Sequence, residues 1–407
     1  MKKIISVPVL LFLAGWILGA QESGTGVLFR FRHQAGDQYR ILSQVEEDVL
    51  INGLYSHSAE ILNRISMKVE EAREDRGTVS AVFQTSERAY GSGGAYQWGQ
   101  EYDSRFSRSS LGLYDIAPEY FMPVVRNVPV FPEEPLTPGE QWTRPAEEVH
   151  DLRQNLMVEE AFHIPMEVHY TYLGPDAEAG EGFEKILIEY TLFYRPRIPR
   201  TGRLSPYYPV RISGYSRQEL VWNGPEGRPE SYREEFDIFF DLYSGDSVEY
   251  RGTAGARVVE AVLMNKEELA DDLRRTLEEK GVTDADVRVE ETGVVISLRN
   301  IQFPPDSAFL RPSEKAKLDE IAGILSGYPG RDILIGGHTA LAGTPEGRLE
   351  LSEERARAVG DYLLSTGCRK PEEMVIRGYG AEQPLADNGT EEGRILNRRV
   401  EITLLEN

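Results

Sequence analysis

The stretch from Gly336 to Arg355, GGHTALAGTPEGRLELSEER, limits the possible fold of this chain more than any other part of it. It follows three apolar residues, 333–335, which are typical of a buried strand. Its two leading glycines let the backbone bend or let a neighbouring group come close. Thr344 then supplies an N-cap hydroxyl, and Pro345 suits the first position of a helix. The pattern predicts a strand end, a tight loop and a helix, in that order.

The predicted helix carries two arginines on one face. Arg348, Ser352 and Arg355 are spaced i, i+4, i+7, so they share one side of the helix and are expected to look back over the loop. Guanidinium groups bind carboxylates and phosphates through paired N–H donors. The stretch therefore predicts a site for an anionic ligand.

The motifs around this stretch resemble the OmpA-like peptidoglycan-binding domain, a family that includes Pal lipoproteins and flagellar stator proteins. The family pattern contains GHTD, LSxxRA, GYGxxxP, NxTxxGR and NRRVEI in that order. The resemblance covers about residues 290–407 of this chain. The matching residues are Gly337-His338-Thr339, Leu351-Ser352, Arg355-Ala356, Gly378-Tyr379-Gly380, Pro384, Asn388, Thr390, Gly393-Arg394 and Asn397-Arg398-Arg399-Val400-Glu401-Ile402.

The resemblance implies a ligand and a set of residues that hold it. In the family, the ligand is diaminopimelate in the peptidoglycan stem peptide, and the arginine that corresponds to Arg355 holds a carboxylate. By its place in the motif Arg398 faces the ligand, and Thr339 completes the loop side of the site. Phe303 is expected to form a pocket wall, with core packing as the alternative. His338 is expected to shape the loop.

Two departures from the family pattern change what the site should bind. Ala340 stands where the family has the aspartate that pairs with the diaminopimelate ammonium, and Arg348 replaces an asparagine. Losing a charge-assisted hydrogen bond costs ~1.5–3 kcal/mol, or roughly ten- to a hundredfold in affinity. We expect weak or absent binding of standard diaminopimelate peptidoglycan, unless the ligand lacks that ammonium or Glu346 replaces the missing acid.

The composition excludes several functions. The 67 acidic and 45 basic residues give a net charge of -22, which argues against nucleic acid and anionic membrane surfaces as partners. The single Cys368 excludes an internal disulfide. No P-loop, G-x-S-x-G, H-E-x-x-H or metal-spaced cysteine motif is present, so we expect no enzyme activity, cofactor or metal. A strand face with His163, Glu167 and His169 is better explained as a solvated surface than as a metal site.

Residues 1–20 have the pattern of an export signal. Lys2 and Lys3 precede an apolar run, 4–17, and Gly19-Ala20 offers small residues before the cleavage point. No cysteine follows the run, so a lipoprotein is not expected; an uncleaved anchor is the alternative. Together with the OmpA-like motifs, the signal predicts a periplasmic protein associated with the outer membrane or cell wall.

Residues 21–255 are predicted to be mostly antiparallel strands. Val27, Phe29 and Phe31 alternate with polar residues, Asn52-Gly53 is a strong hairpin-turn signal, and Asn223-Gly224 is a second one. Pro-rich breaks at 123–138 and 196–209 interrupt the pattern, and the first suggests a subdivision near 123–140. The prolines and the acids in the apolar pattern favour a soluble sheet over an outer-membrane β-barrel, which is the alternative.

Residues 256–407 have helical and strand periodicity in alternation. Asn265 caps a predicted helix, 265–280, and the following pattern βαβαββ predicts a two-layer α/β domain. The chain is thus expected to be a multidomain, non-enzymatic envelope protein whose C-terminal domain contacts peptidoglycan. The alternatives are a periplasmic scaffold that binds an envelope protein through its N-terminal sheet, and a barrel with a wall-binding tail.

Overall fold

The computed structural model describes residues 26–198, 204–260, 265–282, 285–290, 292–298, 301, 303–304 and 307–406. The predicted export signal, 1–20, lies outside these residues. Within the described part of the chain, no helix has both the length and the apolar composition that a membrane span requires.

The N-terminal half is an antiparallel meander, as the sequence predicts. Strands β1 to β5 pair in order, β6 to β12 pair in order, and β12 returns to pair with β1. The elements are β1 (Gln38–Ile51), β2 (Leu54–Ala72), β3 (Arg76–Ala89), β4 (Tyr96–Ser109), β5 (Tyr114–Ile116), β6 (Val125–Arg126), β7 (Gln141–His150), α1 (Arg153–Leu156), β8 (Phe162–Pro175), β9 (Phe183–Tyr194), β10 (Pro209–Asn223), β11 (Arg228–Leu242) and β12 (Ser247–Glu260).

The hairpin signals had different outcomes. Asn52 and Gly53 form the two-residue turn between β1 and β2 with φ of 53° and 74°, the left-handed values that a type I′ turn requires. The connection after Asn223 is longer than predicted and runs over residues 224–227, where the Gly227 amide donates to the Asn223 carbonyl at 2.8 Å.

The alternation of Val27, Phe29 and Phe31 with polar residues predicts a strand, but this segment forms none. The segment makes only an isolated bridge between Val27 and Leu136. Phe29 and Phe31 are nonetheless buried in an aromatic core, where the Phe31 ring lies 4.9 Å from that of Trp222 in an edge-to-face arrangement. The segment therefore adds apolar side chains to the core of the sheet without extending its ladder.

The C-terminal half adds helices to the sheet. Its elements are α2 (Lys266–Glu279), β13 (Ala285–Glu290), β14 (Gly293–Leu298), α3 (Pro312–Leu325), β15 (Ile333–Gly337), α4 (Pro345–Thr366), a 3₁₀ turn (Pro371–Glu373), β16 (Met374–Gly378), α5 (Glu391–Asn397) and β17 (Val400–Leu405). The strands are ordered β13-β14-β17-β15-β16, and only β15 and β16 are parallel.

This order differs in detail from the predicted βαβαββ. The structure adds β13, which pairs with β14, and α5, which precedes β17. Ile301 and Phe303, predicted to continue a strand, lie outside any strand. The capping predictions hold: the Asn265 side chain accepts from the Glu268 amide, and the Thr344 side chain accepts from the Gly347 amide.

The two halves meet along one edge of each sheet. Residues Val375 and Ile376 of β16 pair in parallel with residues 96–97 of β4. Beside this pairing, Arg64 of β2 donates to Asp332 at 2.7 Å and to the Glu372 carbonyl at 2.6 Å. Asp332 immediately precedes β15, so the junction lies at the start of this strand and the predicted loop begins at its other end.

Candidate functional site

A close approach between a strand and a helix places the predicted loop. A Cβ atom added to Gly337, the last residue of β15, would lie 1.9 Å from the Ser352 carbonyl of α4, so only glycine fits there. The Thr339 amide donates to the Gly380 carbonyl at 2.8 Å, and the His338 amide donates to the Arg399 carbonyl at 3.0 Å. These bonds hold the loop between β15 and α4 against the segments that follow β16 and α5.

The loop forms one wall of an open pocket of about 850 Å³. All six residues predicted from the sequence to contact the ligand line this pocket: Phe303, Thr339, Ala340, Arg348, Arg355 and Arg398. The other lining residues are Ile301, His338, Ala342, Gly343, Thr344, Gly347, Leu351, Arg394, Ile395 and Arg399.

Arg355 is held from two sides. Its Nε donates to the Ser307 carbonyl at 3.1 Å, and its guanidinium carbon lies 5.1 Å from the centre of the Phe303 ring. The side chain is only 7% exposed. A guanidinium fixed in this way, with an aromatic ring against its face, is pre-organised to bind a carboxylate.

The two substituted positions lie together in the pocket. Ala340 is 4% exposed, and Arg348 donates from its Nη1 to the Gly343 carbonyl at 2.7 Å. Arg348 Nε is buried and has no hydrogen-bond partner among the described residues. No Asp or Glu lines the pocket in the part of the chain that the structure describes, and Glu346 is exposed outside it.

Three further arginines line the opposite wall. Arg394 and Arg398 both donate to Glu391, at 2.7 Å and 3.0 Å. These hydrogen bonds, first that from Arg398, hold the pKa of the Glu391 carboxyl below its usual value. Arg399 is 4% exposed and pairs with Glu401. Arg394 and Arg399 thus form ion pairs with neighbouring acids and also line the pocket.

His338 is a structural residue of the loop. It is 1% exposed, its ring stacks on Tyr379 with centroids 4.8 Å apart, and its Nε2 lies 3.4 Å from Glu401 Oε2. Burial lowers the pKa of the imidazole. Burial alone would raise the pKa of Glu401, but the nearby His338 and the hydrogen bond from Arg288 hold it well below its ordinary value. The carboxylate therefore stays ionised beneath the loop.

Ser352, which shares a helix face with Arg348 and Arg355, does not line the pocket as they do. It is fully buried; its Oγ accepts from the Gly380 amide at 2.9 Å and donates to the Leu349 carbonyl at 2.7 Å. Asn397 has a similar supporting role that periodicity does not reveal. Its side-chain oxygen accepts from the Leu385 and Ala386 amides at 2.8 and 3.0 Å. Its place in the NRRVEI motif is the signal that could have identified it.

The histidine-containing strand face in the N-terminal half is a polar surface. His163 contacts Glu147 Oε2 at 3.0 Å and the Pro118 carbonyl at 2.9 Å. His169 lies 3.9 Å from Glu167 and 3.2 Å from the Thr143 hydroxyl. Across the described ranges, no three His, Cys, Asp or Glu side chains are grouped so as to hold a metal ion.

Comparison with known proteins gives matches to the C-terminal part of the chain, while the N-terminal half is unmatched. The OmpA family model matches residues 302–398. A peptidoglycan-associated lipoprotein of Pseudomonas aeruginosa is 33% identical over 117 residues, which are 29% of this chain and 68% of the relative. Outer membrane porin F of the same species is 34% identical over 125 residues, 29% of this chain and 36% of the porin.

Other relatives are similar over the same extent. The peptidoglycan-binding protein ArfA of Mycobacterium bovis is 36% identical over 104 residues, 26% of this chain and 32% of that protein. The solved structure of a cell wall anchor of the T6SS from Pseudomonas aeruginosa is 28% identical and covers 33% of this chain and 97% of its own, with a TM-score of 0.30. The chain spans about a third of the length of the first curated relatives that it matches.

Proposed function

The chain belongs to the OmpA family through residues 302–398, and we therefore propose that its C-terminal domain contacts peptidoglycan in a non-catalytic protein of the cell envelope. Two of the relatives carry peptidoglycan binding or association in their names. In this proposal residues 1–20 are an export signal, 21–255 form a periplasmic β-rich region, and 256–407 form the domain that meets the wall at or near the outer membrane.

The charge of the pocket is the observation that carries the proposed ligand preference. Five arginines line it, and no acidic side chain of the described residues does. A carboxylate of a stem peptide would find Arg355 fixed against Phe303, with Arg398 on the facing wall. An ammonium group would find the methyl of Ala340 and the guanidinium of Arg348. We infer that the pocket retains its hold on a negative group and has lost its hold on a positive one.

Unpaired donors in the pocket favour the same conclusion. Arg348 Nε, Arg399 Nη1 and Thr339 Oγ1 are buried and have no hydrogen-bond partner among the described residues. Buried donors left unsatisfied cost ~1–3 kcal/mol each, so a ligand that supplies acceptor oxygens would relieve them. A stem peptide whose diamino acid lacks the free ammonium, or carries a carboxylate there, fits this site better than standard diaminopimelate.

Retention of the full chain on purified diaminopimelate peptidoglycan tests the proposal. We expect retention that is roughly ten- to a hundredfold weaker than that of a family member with the aspartate, because one charge-assisted hydrogen bond is missing. Arg355→Ala should remove the remaining retention. Arg275→Ala, which changes an exposed ion pair on α2, should leave it unchanged. Retention equal to that of the ordinary family member, or retention that survives Arg355→Ala, would contradict the proposal.

A further inference from the structure

One segment of this acidic chain contains no acidic residue. Residues 190–218 have six arginines and no Asp or Glu, in a chain with 67 acids and 45 bases. The same segment has six aromatic residues, Tyr190, Phe193, Tyr194, Tyr207, Tyr208 and Tyr215. It comprises the end of β9, the connection to β10 and the first half of β10. Basic and aromatic side chains in alternation are typical of surfaces that meet phosphate groups.

The arginines of the segment differ in their partners. Arg211 pairs with Asp241 of β11, and Arg217 lies 3.4 Å from Glu189 and 3.6 Å from Glu219. Arg195 and Arg197 are exposed and form no ion pair with any residue in the described ranges. The positive charge that the chain leaves unneutralised here is therefore in the connection itself.

Three connections meet at this end of the sheet. The Tyr243 amide donates to the Tyr208 carbonyl at 2.9 Å, which joins the β11–β12 turn to the β9–β10 connection. Asn52 Nδ2 donates to Asp246 Oδ1 at 2.9 Å, which joins the β1–β2 turn to the β11–β12 turn. These bonds hold the described parts of the three connections next to one another.

This end of the sheet exposes large apolar side chains, which we call the aromatic rim. Its members are exposed by 39% to 75% of their area: Ile51, Leu54, Tyr55, Phe193, Tyr207 and Tyr243. The turns 73–75, 176–182 and 224–227 at the opposite end of the sheet contain six acids, and the exposed large apolar residues at that end include Leu113 and Leu173 but no aromatic residue of these turns. The two ends of the sheet therefore differ in charge and in exposed aromatic side chains.

We propose that the aromatic rim and the arginines of the β9–β10 connection dock on a lipid bilayer that carries anionic headgroups. Tyrosine and Arg are suited to the headgroup region, and an exposed Leu54 at a hairpin tip can enter the acyl boundary. The negative charge of the rest of the chain is screened beyond ~8 Å at physiological salt. The local charge of this segment therefore matters more for docking than the net charge of the whole chain, which argued against an anionic membrane surface.

A fluorescent probe at the rim tests the proposal directly. Cys368→Ser removes the single thiol, and Leu54→Cys then allows an environment-sensitive fluorophore to be attached at the hairpin tip of the full chain. Vesicles of phosphatidylcholine that contain phosphatidylglycerol as the anionic lipid should shift its emission to the blue, whereas vesicles of phosphatidylcholine alone should shift it less. The same label at Leu173→Cys, at the opposite end, should not shift. A shift at both positions or at neither would overturn the proposal.

Co-sedimentation with the same vesicles tests the arginines. Arg195→Gln with Arg197→Gln should lower the vesicle-bound to free ratio on the order of tenfold, because each cation near an anionic surface contributes to binding. Arg73→Gln, an exposed arginine in the β2–β3 turn, is the matched control and should have no effect. The apolar stretch 4–17 is common to all variants, so only their differences are interpreted. Equal binding of both variants and the parent, or rim-dependent self-association without vesicle binding, would refute lipid docking.

Discussion

Ala340 and Arg348 change the electrostatics of the pocket by two charges in the same direction. An aspartate at the first position would face the pocket as a negative charge, whereas Ala340 presents a buried methyl group. Arg348 adds a positive charge whose Nη1 is fixed by the Gly343 carbonyl at 2.7 Å. Since both changes disfavour an ammonium and leave Arg355 in place, we expect them to alter the preference of the pocket without removing its ability to bind an anion.

Substitution of Gly337 tests whether the loop between β15 and α4 depends on the close approach of these two elements. Gly337→Ala would place a Cβ 1.9 Å from the Ser352 carbonyl, and backbone cannot yield as a flexible side chain does. We expect a loss of roughly 1–3 kcal/mol in the free energy of unfolding. Gly323→Ala in α3 is the matched control, because its Cβ meets no atom within 4 Å and alanine favours a helix. Urea unfolding of both variants gives the comparison; similar effects would argue against the close approach.

Glu47 gives the N-terminal sheet a pH dependence. Burial, and then the charge of Glu87, raises the pKa of Glu47 to about 7 from 4.5. The folded chain therefore holds a proton that the unfolded chain releases above pH 4.5, and this contribution to stability is lost as the pH rises to 7. The parent should lose up to about 3 kcal/mol relative to Glu47→Gln between pH 4.5 and 8. If the free energies of unfolding of the parent and of Glu47→Gln changed in parallel across this pH range, the pKa of Glu47 would not be raised in the folded chain.

Among the helices and strands, the features predicted correctly from the sequence are those that depend on local chemistry. Asn52-Gly53 and the caps at Asn265 and Thr344 act through their own backbone and near neighbours, and they appear as predicted. The predicted β-rich region ends at residue 255, inside strand β12, whose Gly252 and Gly255 weaken strand propensity. A Cβ at Gly252 would lie 2.0 Å from the Glu46 carbonyl of β1, so a long-range contact explains that glycine.

The junction between the halves depends on a buried ion pair. Arg64 and Asp332 have side chains 5% and 13% exposed and lie 2.7 Å apart. Asp332 also lies 3.3 Å from Arg40 Nη2, so Asp332→Ala would leave both the Arg64 and the Arg40 guanidinium groups without their counter-charge, at a cost of about 3–5 kcal/mol in the free energy of unfolding. Combining Arg64→Met with Asp332→Leu should recover only the part of that loss that belongs to Arg64.

An exposed pair provides the control for the junction. Asp271→Ala breaks the exposed contact with Arg274 on α2, where such pairs contribute ~0–1 kcal/mol. We expect Asp332→Ala, unlike Asp271→Ala, to lower the unfolding temperature in differential scanning calorimetry and to separate the transition into two. An effect no larger than that of Asp271→Ala would mean that the strand pairing, and not the ion pair, holds the halves together.

At the scale of the molecule, the residues of the pocket could be predicted from the sequence, but their arrangement could not. The six predicted ligand residues line one pocket because an ordered motif brings four segments to the same end of the sheet. That motif does not reveal that Ser352 turns inward to Gly380, or that β4 extends the sheet beyond β16. The N-terminal half offered strand periodicity and two hairpin-turn signals, and periodicity does not specify which of the other strands pair.

Restoring the acid that would pair with an ammonium group tests the proposed ligand preference most directly. Ala340→Asp with Arg348→Asn restores the acid and removes the competing cation, while Arg355 and Phe303 stay in place. Retention of the double variant on diaminopimelate peptidoglycan should be roughly ten- to a hundredfold stronger than that of the unaltered chain, which is the effect of one charge-assisted hydrogen bond. Retention that stays at the level of the unaltered chain would contradict the proposed preference, since the loss would then lie outside these two positions.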